Sequence, residues 1–233
     1  MHPKTKIDAV HVIAVLDRLE AVWGMESHLP DRSFGSPLDG LVATLLSQNT
    51  NDRNSERAFY EMKKRFPRWE MVAQASHESL VDSIRIAGLA PTKAARIKEI
   101  LSRLKKDFGQ FNLDHLRDWI QPSAKEYLEN LPGIGPKTAG CVLAFELGMP
   151  SFPVDTHVAR ITKRLGWFMP SRNPVEIQQE MENLVPSERQ AGGHLNFILH
   201  GRNTCHARKP ACAACTLADL CPTRIPRGQE PSR

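Results

Sequence analysis

Residues 131–139 are Leu131-Pro132-Gly133-Ile134-Gly135-Pro136-Lys137-Thr138-Ala139, and they lie between two segments with helical patterns. The first segment, 124–131, ends at Pro132 and Gly133. Pro136 suits the first position of a second helix running to about Leu147, because its φ is already fixed and its missing N–H would be unpaired there anyway. The stretch therefore predicts a helix, a tight hairpin and a second helix.

The predicted hairpin is a candidate phosphate site. Gly133 and Gly135 allow close approach of the backbone, so free amides in the turn and at the helix start can bind an anion. Such a contact would not depend on base sequence. Glycines at this spacing also occur in ordinary helical hairpins, where they only permit the turn. The glycines alone leave both interpretations open.

Lys137 follows Pro136 at the start of the second predicted helix. The positive end of the helix dipole disfavours a further cation there, and partial burial disfavours it more. Both effects favour a neutral amine, which is the form that acts as a nucleophile. A solvated lysine in contact with phosphate is the alternative.

Asp155 lies in Pro153-Val154-Asp155-Thr156-His157-Val158-Ala159-Arg160-Ile161, directly before another helical pattern. Aspartate is a favoured N-cap residue, which is its simplest role here. A carboxylate held in direction by backbone amides can also stabilise positive charge on a sugar or activate a nucleophile, and the two roles are compatible. His157 is a candidate phosphate contact, although a histidine in a first helical turn is more commonly structural.

Four of the five cysteines, Cys205, Cys212, Cys215 and Cys221, have the spacing C-x6-C-x2-C-x5-C. An odd count in a chain expected in a reducing compartment argues against a disulfide framework. Structural zinc more usually takes two C-x2-C pairs, whereas a four-iron four-sulfur cluster suits one loop with unequal spacing. The spacing favours a [4Fe-4S] cluster over zinc, and zinc over plain thiols. Cys141 lies in an apolar helical run and is predicted to be a buried core thiol.

Composition places the chain among globular proteins. Its 233 residues are 41% hydrophobic and 24% charged, and no apolar run approaches the roughly 18 residues that span a bilayer. No secretory signal is visible at the N-terminus, so we expect a cytoplasmic protein, associated with the nucleoid in a bacterium. Lys and Arg exceed Asp and Glu by 31 to 26, which favours polyanionic partners. The surface pattern shows no dimer stripe, so a monomer is expected.

Apolar residues recur at helical spacing over most of the chain, and no stretch alternates apolar and polar residues for long. We therefore predict an all-α protein with short turns that contain proline and glycine. The last ten residues, 224–233, have the composition of a disordered tail. Besides the two helices of the hairpin and the one after Asp155, helices are predicted at 7–23, around 41–46, and at 58–66, 80–87, 93–108 and 175–185.

Four motifs in this order resemble endonuclease III, a family of bifunctional DNA glycosylases in the helix-hairpin-helix superfamily. They are Leu131 to Ala139, Val154-Asp155-Thr156-His157, Leu199-His200-Gly201-Arg202 and the four C-terminal cysteines. The resemblance extends from about residue 36 to residue 221. It implies a six-helix domain over 30–149, a cluster domain formed by 1–29 and 150–223, and a DNA-binding cleft between them.

The resemblance also implies a function. It implies that the protein removes oxidised pyrimidines, such as thymine glycol, from duplex DNA and then cleaves 3′ of the abasic site by β-elimination. In the family, the lysine that matches Lys137 attacks C1′, expels the base and forms a Schiff base, and the aspartate that matches Asp155 assists. An imine acidifies the C2′ proton, so a lysine nucleophile turns a glycosylase into a lyase. The implied partner is duplex DNA with damaged bases or abasic sites, and the implied cofactor is a [4Fe-4S] cluster.

Extrusion of a base leaves a gap in the duplex that side chains must fill. By resemblance, Asn49 aligns with a family glutamine in the vacated stack, and Leu89 matches a leucine wedge. Gly133, Gly135 and His157 are further candidate DNA contacts. The alternative is that Asn49 caps a helix and Leu89 lies in the core. Asn49 also departs from the family's glutamine, so the lesion range cannot be transferred directly.

Two other functions fit parts of the sequence. One is a monofunctional mismatch glycosylase of the same superfamily, which usually lacks a lysine at position 137 and often carries an additional C-terminal domain. The other is a non-enzymatic DNA-binding module in which the hairpin contacts phosphate. The presence of Lys137 and the lack of such a domain count against the first, and Lys137 together with Asp155 counts against the second. Arg202, Arg208 and Lys209 add basic residues around the first cysteine loop, where they could meet phosphates.

Overall fold

The computed structural model describes residues 7–24 and 34–224. Within these residues the chain forms α-helices and short 3-10 turns with no β-strand, which confirms the all-α prediction. Apart from Arg224, the predicted disordered tail lies outside the described residues. No helix in the described part is long and apolar enough to cross a membrane.

Eleven α-helices occur in the described part of the chain. They are α1 (Ala9–Trp23), α2 (Pro37–Ser47), α3 (Asp52–Arg65), α4 (Trp69–Gln74), α5 (His77–Ser83), α6 (Ala90–Phe108), α7 (Gln121–Glu129), α8 (Pro136–Phe145), α9 (Thr156–Arg164), α10 (Pro174–Leu184) and α11 (Gln190–Asn203). The predicted segments at 7–23, 93–108 and 175–185 correspond to α1, α6 and α10 within three residues at each end. Local patterns located these helices because each has one apolar side.

Helix α3 begins at Asp52, six residues before the start predicted from its apolar residues. The side chain of Asn51 accepts a hydrogen bond from the Asn54 N–H at 2.9 Å, which caps the helix. The first turn of α3 contains only polar residues, so apolar spacing did not extend to it. Asn51 was the signal for the true start.

Helix α11 was not predicted. Eleven of its fourteen residues are buried, so it has no polar side and no amphipathic pattern. A Cβ at Gly193 would lie 3.0 Å from the ring of Phe152 and 3.1 Å from Leu16 Cδ2, which shows how closely the helix backbone is packed. Small residues that weaken a helix in isolation are needed here for packing.

The chain forms two compact units. One comprises Met1–Asp31 and Pro150–Arg233, and the other comprises Arg32–Met149. In the first unit, the Arg189 guanidinium donates to the carboxylates of Asp17 and Glu20 at 2.7 to 2.8 Å, joining α1 to the C-terminal part of the chain. The role of each unit in DNA binding stays a prediction.

Each unit has its own apolar core. The core of Arg32–Met149 contains Leu41, Leu45, Ile97, Leu101 and Val142, among others. The core of the other unit contains Leu16, Phe152, Val158, Ile177 and Phe197, among others.

Candidate functional site

The predicted hairpin is present between α7 and α8. The Ile134 N–H donates to the Leu131 carbonyl at 3.1 Å, and Gly133 has a φ of 76°, in the left-handed region that favours glycine. A Cβ at Gly133 would lie 2.4 Å from Arg96 Cδ, whereas a Cβ at Gly135 would meet nothing within 4 Å. Gly133 is therefore required by the turn and its packing, and Gly135 leaves open space beside the helix start.

Helix α8 begins as predicted, with Gly135 at the N-cap and Pro136 at the first helical position. Its hydrogen-bond series starts with the Ala139 N–H, which donates to the Gly135 carbonyl at 2.9 Å. The N–H groups of Lys137 and Thr138 precede that series and lie at the positive end of the helix. Lys137 itself is half-buried. That its amine lies beside a backbone anion site stays a prediction.

Gln48, at the C-cap of α2, connects the preceding loop to this hairpin. Its Nε2 donates to the Gly133 carbonyl and to Thr138 Oγ1, both at 3.2 Å. Its contacts could not be predicted locally, because the two partners lie 85 and 90 residues away in the chain.

Asn49 is exposed and has a φ of 55°. Asparagine tolerates this left-handed conformation better than most residues with a side chain. Asn51, and not Asn49, caps the following helix, so the alternative that Asn49 is a cap is wrong. The proposed insertion of Asn49 into DNA stays a prediction.

Leu89 lies at the N-cap of α6 with a φ of 50°, and 59% of it is exposed. The alternative that Leu89 belongs to the core is therefore wrong. A left-handed backbone is uncommon for leucine, and such conformations concentrate at functional sites. Gly88, with a φ of 69°, precedes it, so the turn presents the leucine side chain to solvent.

Asp155 is the N-cap of α9. Its Oδ1 accepts hydrogen bonds from the His157 N–H at 2.8 Å and the Val158 N–H at 2.9 Å. The cap predicted from the sequence is confirmed, and the direction of the carboxylate is fixed by these two bonds. Lys137 and Asp155 belong to different units, and their approach to one another stays a prediction.

The imidazole of His157 packs against α11. Its Nδ1 accepts a hydrogen bond from Arg160 Nη2 at 3.0 Å, and a Cβ at Gly201 would lie only 2.5 Å from the same nitrogen. Burial lowers the pKa of His157, which favours the neutral ring that this bond requires. These contacts support the structural interpretation of His157, and its contact with DNA stays a prediction.

The four C-terminal cysteines line one cavity of about 180 Å³. A single buried water needs only about 10–15 Å³ measured in this way, so the cavity has room for a multi-atom group. Among residues 7–24 and 34–224, no three His, Cys, Asp or Glu side chains are close enough to hold one metal ion. Cys141 lies elsewhere, in α8, and is 8% exposed, as predicted for a core thiol.

N–H groups donate to the sulfurs of two of these cysteines. Arg164 Nη1 donates to Cys205 Sγ at 3.2 Å, and the Leu217 N–H donates to Cys215 Sγ at 3.4 Å. The remaining guanidinium contacts of Arg164, to the carbonyls of His206 and Ala207, hold the first cysteine loop. Such donors stabilise thiolate ligands and tune the potential of an iron–sulfur cluster.

Comparison with known families gives a direct match. Residues 42–187 match the family of HhH-GPD superfamily base excision DNA repair proteins, and residues 205–221 match the iron–sulfur binding domain of endonuclease III. The chain is 34% identical over 193 residues to endonuclease III of Thermotoga maritima, a match that covers 83% of this chain and 86% of the relative. This chain belongs to the endonuclease III family. The resemblance to this family that the four sequence motifs indicated is confirmed.

Other members of the family agree with this assignment. Endonuclease III of Escherichia coli is 32% identical over 209 residues, which are 88% of this chain and 94% of that protein. A protein of Arabidopsis thaliana named as a DNA glycosylase is 41% identical over 174 residues, and the chain spans 59% of its length. The match at residues 205–221, which begins at Cys205 and ends at Cys221, supports a [4Fe-4S] cluster as the cofactor.

Solved structures of endonuclease III share the fold. A non-covalent endonuclease III–DNA complex superposes with a TM-score of 0.80 at 26% identity, over 93% of this chain and 96% of the other. A trapped endonuclease III–DNA covalent intermediate also gives a TM-score of 0.80 at 26% identity. The described residues therefore have the helical fold of the family.

Proposed function

We propose that this protein is a base-excision-repair DNA glycosylase with AP lyase activity that removes oxidised pyrimidines, such as thymine glycol, from duplex DNA. The observation that carries the proposal is the position of Lys137 at the second residue of α8. Lys137 thus belongs to the first turn of the helix, where backbone amides are free, and a Cβ at the preceding Gly135 would meet nothing within 4 Å. An anion site next to a nucleophile suits a sugar that is flanked by phosphates.

Lys137 supplies the covalent step. Its Nζ attacks C1′, the glycosidic bond breaks, and the bonding pair leaves with the damaged base. Opening of the sugar ring then produces an imine between Nζ and C1′. The imine acidifies the C2′ proton, and loss of that proton breaks the C3′–O bond on the 3′ side of the lesion. Water hydrolyses the imine and frees the lysine.

Asp155 assists at the same carbon. The two N–H groups on Oδ1 hold the carboxylate in one direction, so it does not need to reorganise when charge develops. In this role it accepts a proton from the Lys137 amine and stabilises positive charge at C1′. The endonuclease III structure described as a trapped covalent DNA intermediate supports a covalent mechanism for this chain.

The remaining candidate residues bind DNA or the cofactor. Asn49 and Leu89 fill the gap left by the extruded base, a role that their exposure supports. The amides around Gly133 and Gly135 bind backbone phosphate, with His157 as a further contact. The cluster ligands are Cys205, Cys212, Cys215 and Cys221, all of which line the 180 Å³ cavity.

A cluster held by these four cysteines would supply thiolate-bound iron and so link the two ends of the cysteine loop. The protein's partner is duplex DNA that contains damaged bases or abasic sites. We further propose that it acts as a monomer in the cytoplasm, at the nucleoid in a bacterium.

The test is borohydride trapping. The protein is incubated with a duplex that contains thymine glycol or an abasic site, and a covalent complex is expected that disappears in Lys137→Ala. The matched control is Lys106→Ala, which removes an exposed lysine of α6 and is expected to trap normally. Absence of trapping by the unaltered protein with intact DNA binding contradicts the lyase. Base release without trapping would then indicate a monofunctional glycosylase, and no release would indicate a binding module.

A further inference from the structure

Lys93 is a buried lysine with two backbone partners. The residue is 2% exposed, and its Nζ donates to the carbonyls of Leu46 at 2.7 Å and Ala87 at 2.9 Å. Lysine is almost never fully buried unless its ammonium is paired. Here the partners are carbonyls at the ends of two different elements.

Both carbonyls are close in sequence to the candidate DNA-inserting residues. Leu46 lies in the last turn of α2, three residues before Asn49. Ala87 ends the 3-10 turn Arg85–Ala87, two residues before Leu89. Carbonyls at helix ends have no partner within their own helix, so an ammonium can join two such ends.

The same lysine also contacts the Leu89 turn through its backbone. The Lys93 N–H donates to the Leu89 carbonyl at 3.0 Å. Asn49 and Leu89 both have left-handed backbones, which persist only where surrounding contacts enforce them. Lys93 supplies such contacts to both segments at once.

We propose that Lys93 is a positioning residue that holds the Asn49 and Leu89 loops in one fixed arrangement, so that both side chains enter the DNA stack together. The inference rests on the proposed function in requiring that these two side chains enter DNA. Two loops that are already ordered lose less conformational freedom when their side chains enter the DNA. This strengthens binding to a duplex in which a base is missing from the stack. Undamaged DNA, which offers no gap, does not use this arrangement.

The test compares binding to two duplexes of one sequence. One duplex contains a tetrahydrofuran abasic analogue, which cannot form a Schiff base, and the other is undamaged. We expect Lys93→Met to lower the preference for the analogue by about tenfold, which is within the range for residues that share one hydrogen-bond network. Binding to undamaged DNA should change by less than about twofold, because phosphate contacts dominate there.

Lys98→Met is the matched control. Lys98 is also on α6, and its ammonium also donates to a backbone carbonyl, that of Ala75 at the end of α4. No candidate DNA-inserting residue lies at the end of α4 or at the start of α5, the two helices on either side of Ala75. We expect this variant to keep the preference for the analogue within about twofold of the unaltered protein. An equal loss in both lysine variants overturns the proposal.

A double-mutant cycle separates positioning from stability. Asn49→Ala and Leu89→Ala are each measured alone and together with Lys93→Met. If Lys93 positions both loops, each alanine change should lower the preference for the analogue by a smaller factor in the Lys93→Met background. A purely structural lysine predicts the same factor in both backgrounds, and that result overturns the proposal. If Lys93→Met does not fold, Lys93→Gln decides by the same criterion, because its shorter side chain cannot reach both carbonyls.

The outcome is separable from that of the lyase. If the unaltered protein prefers the analogue but forms no covalent complex with borohydride, the proposed lyase activity is contradicted. The double-mutant cycle at Lys93 still decides whether Lys93 is a positioning residue. Trapping together with identical factors in the cycle contradicts only the role of Lys93. An unaltered protein with no preference for the analogue overturns the positioning role, because no insertion would then take place.

Discussion

The side-chain nitrogen of Gln48 lies 3.2 Å from the hydroxyl oxygen of Thr138, the residue that follows Lys137. The same nitrogen donates to the Gly133 carbonyl in the hairpin turn. The residue after Gln48 is Asn49, the candidate for the vacated stack. One amide therefore connects the loop proposed to fill the duplex to the hairpin proposed to carry the nucleophile.

Gln48→Ala tests this connection. The variant loses two hydrogen bonds at a partly exposed position, so we expect the free energy of unfolding to fall by only about 1 kcal/mol. The rate of borohydride trapping under single-turnover conditions should fall by more than stability explains, by roughly tenfold, because the hairpin and the loop move independently. Gln74→Ala, at an exposed glutamine of α4, is the control and should leave both quantities unchanged. An unchanged trapping rate in Gln48→Ala would remove the functional role of this contact.

The role of Asp155 as a helix cap can be tested separately from the role of its negative charge. Asparagine is as good an N-cap as aspartate, so Asp155→Asn should retain the stability of the unaltered protein within a few tenths of a kcal/mol. Without the carboxylate, trapping should slow by roughly 10²-fold, the usual effect of removing one preorganised electrostatic group. Thermal unfolding and single-turnover trapping measure the two effects. Asp155→Ala, which also removes the cap, should cost about 1 kcal/mol more. Full activity in Asp155→Asn would show that the residue serves only as a cap.

The two hairpin glycines should respond differently to alanine. Gly133→Ala forces a left-handed backbone and a contact with Arg96, so we expect a loss of about 1–3 kcal/mol in the free energy of unfolding. Gly135 has a φ of −98° and open space around its Cβ position, so Gly135→Ala should unfold within about 0.5 kcal/mol of the unaltered protein. A methyl group there stands beside the free amides and should weaken binding to any duplex, with a smaller dependence on salt. Urea unfolding and titrations at two salt concentrations measure this. Normal DNA affinity in Gly135→Ala would exclude an anion site at this helix start.

The cysteine cavity predicts a coloured protein. Purified without air, it should be brown and contain iron and sulfide in equal amounts, because thiolate-to-iron charge transfer absorbs visible light and zinc does not. Cys215→Ser should lose the colour and iron and lower the melting temperature, whereas Cys141→Ser, which changes a core thiol in α8, should retain the colour. Absorbance, metal analysis and calorimetry measure these outcomes. A colourless, zinc-loaded protein would contradict the cluster.

Much of the fold could be predicted because the signals are local. Pro136 marks the start of α8, and Asp155 caps α9 through residues two and three positions later. Each of these signals acts within one helical turn, so its meaning does not depend on the rest of the chain. The cysteine spacing is equally local, with all four residues in one C-terminal segment.

The missed features depend on distant contacts. Helix α11 is buried on nearly all sides, so it carries no periodic pattern, and Gly201 is required only because His157 packs against it. Lys93 has the sequence context of an ordinary helical lysine, yet one of its carbonyl partners lies 47 residues away. Sequence distance hides such contacts.

The amino-acid sequence by itself determined the helical class, the hairpin, the starts of α8 and α9 and the set of candidate reactive residues, because these depend on neighbouring residues. Only the tertiary structure decided that Leu89 is exposed, that Gln48 joins two loops and that Lys93 is buried between two helix ends. Burial and hydrogen bonding between distant segments are properties of the packed chain, since they exist only after the helices come together. The motifs therefore identify the candidate reactive residues, and the packing of the helices determines where the side chains of those residues lie.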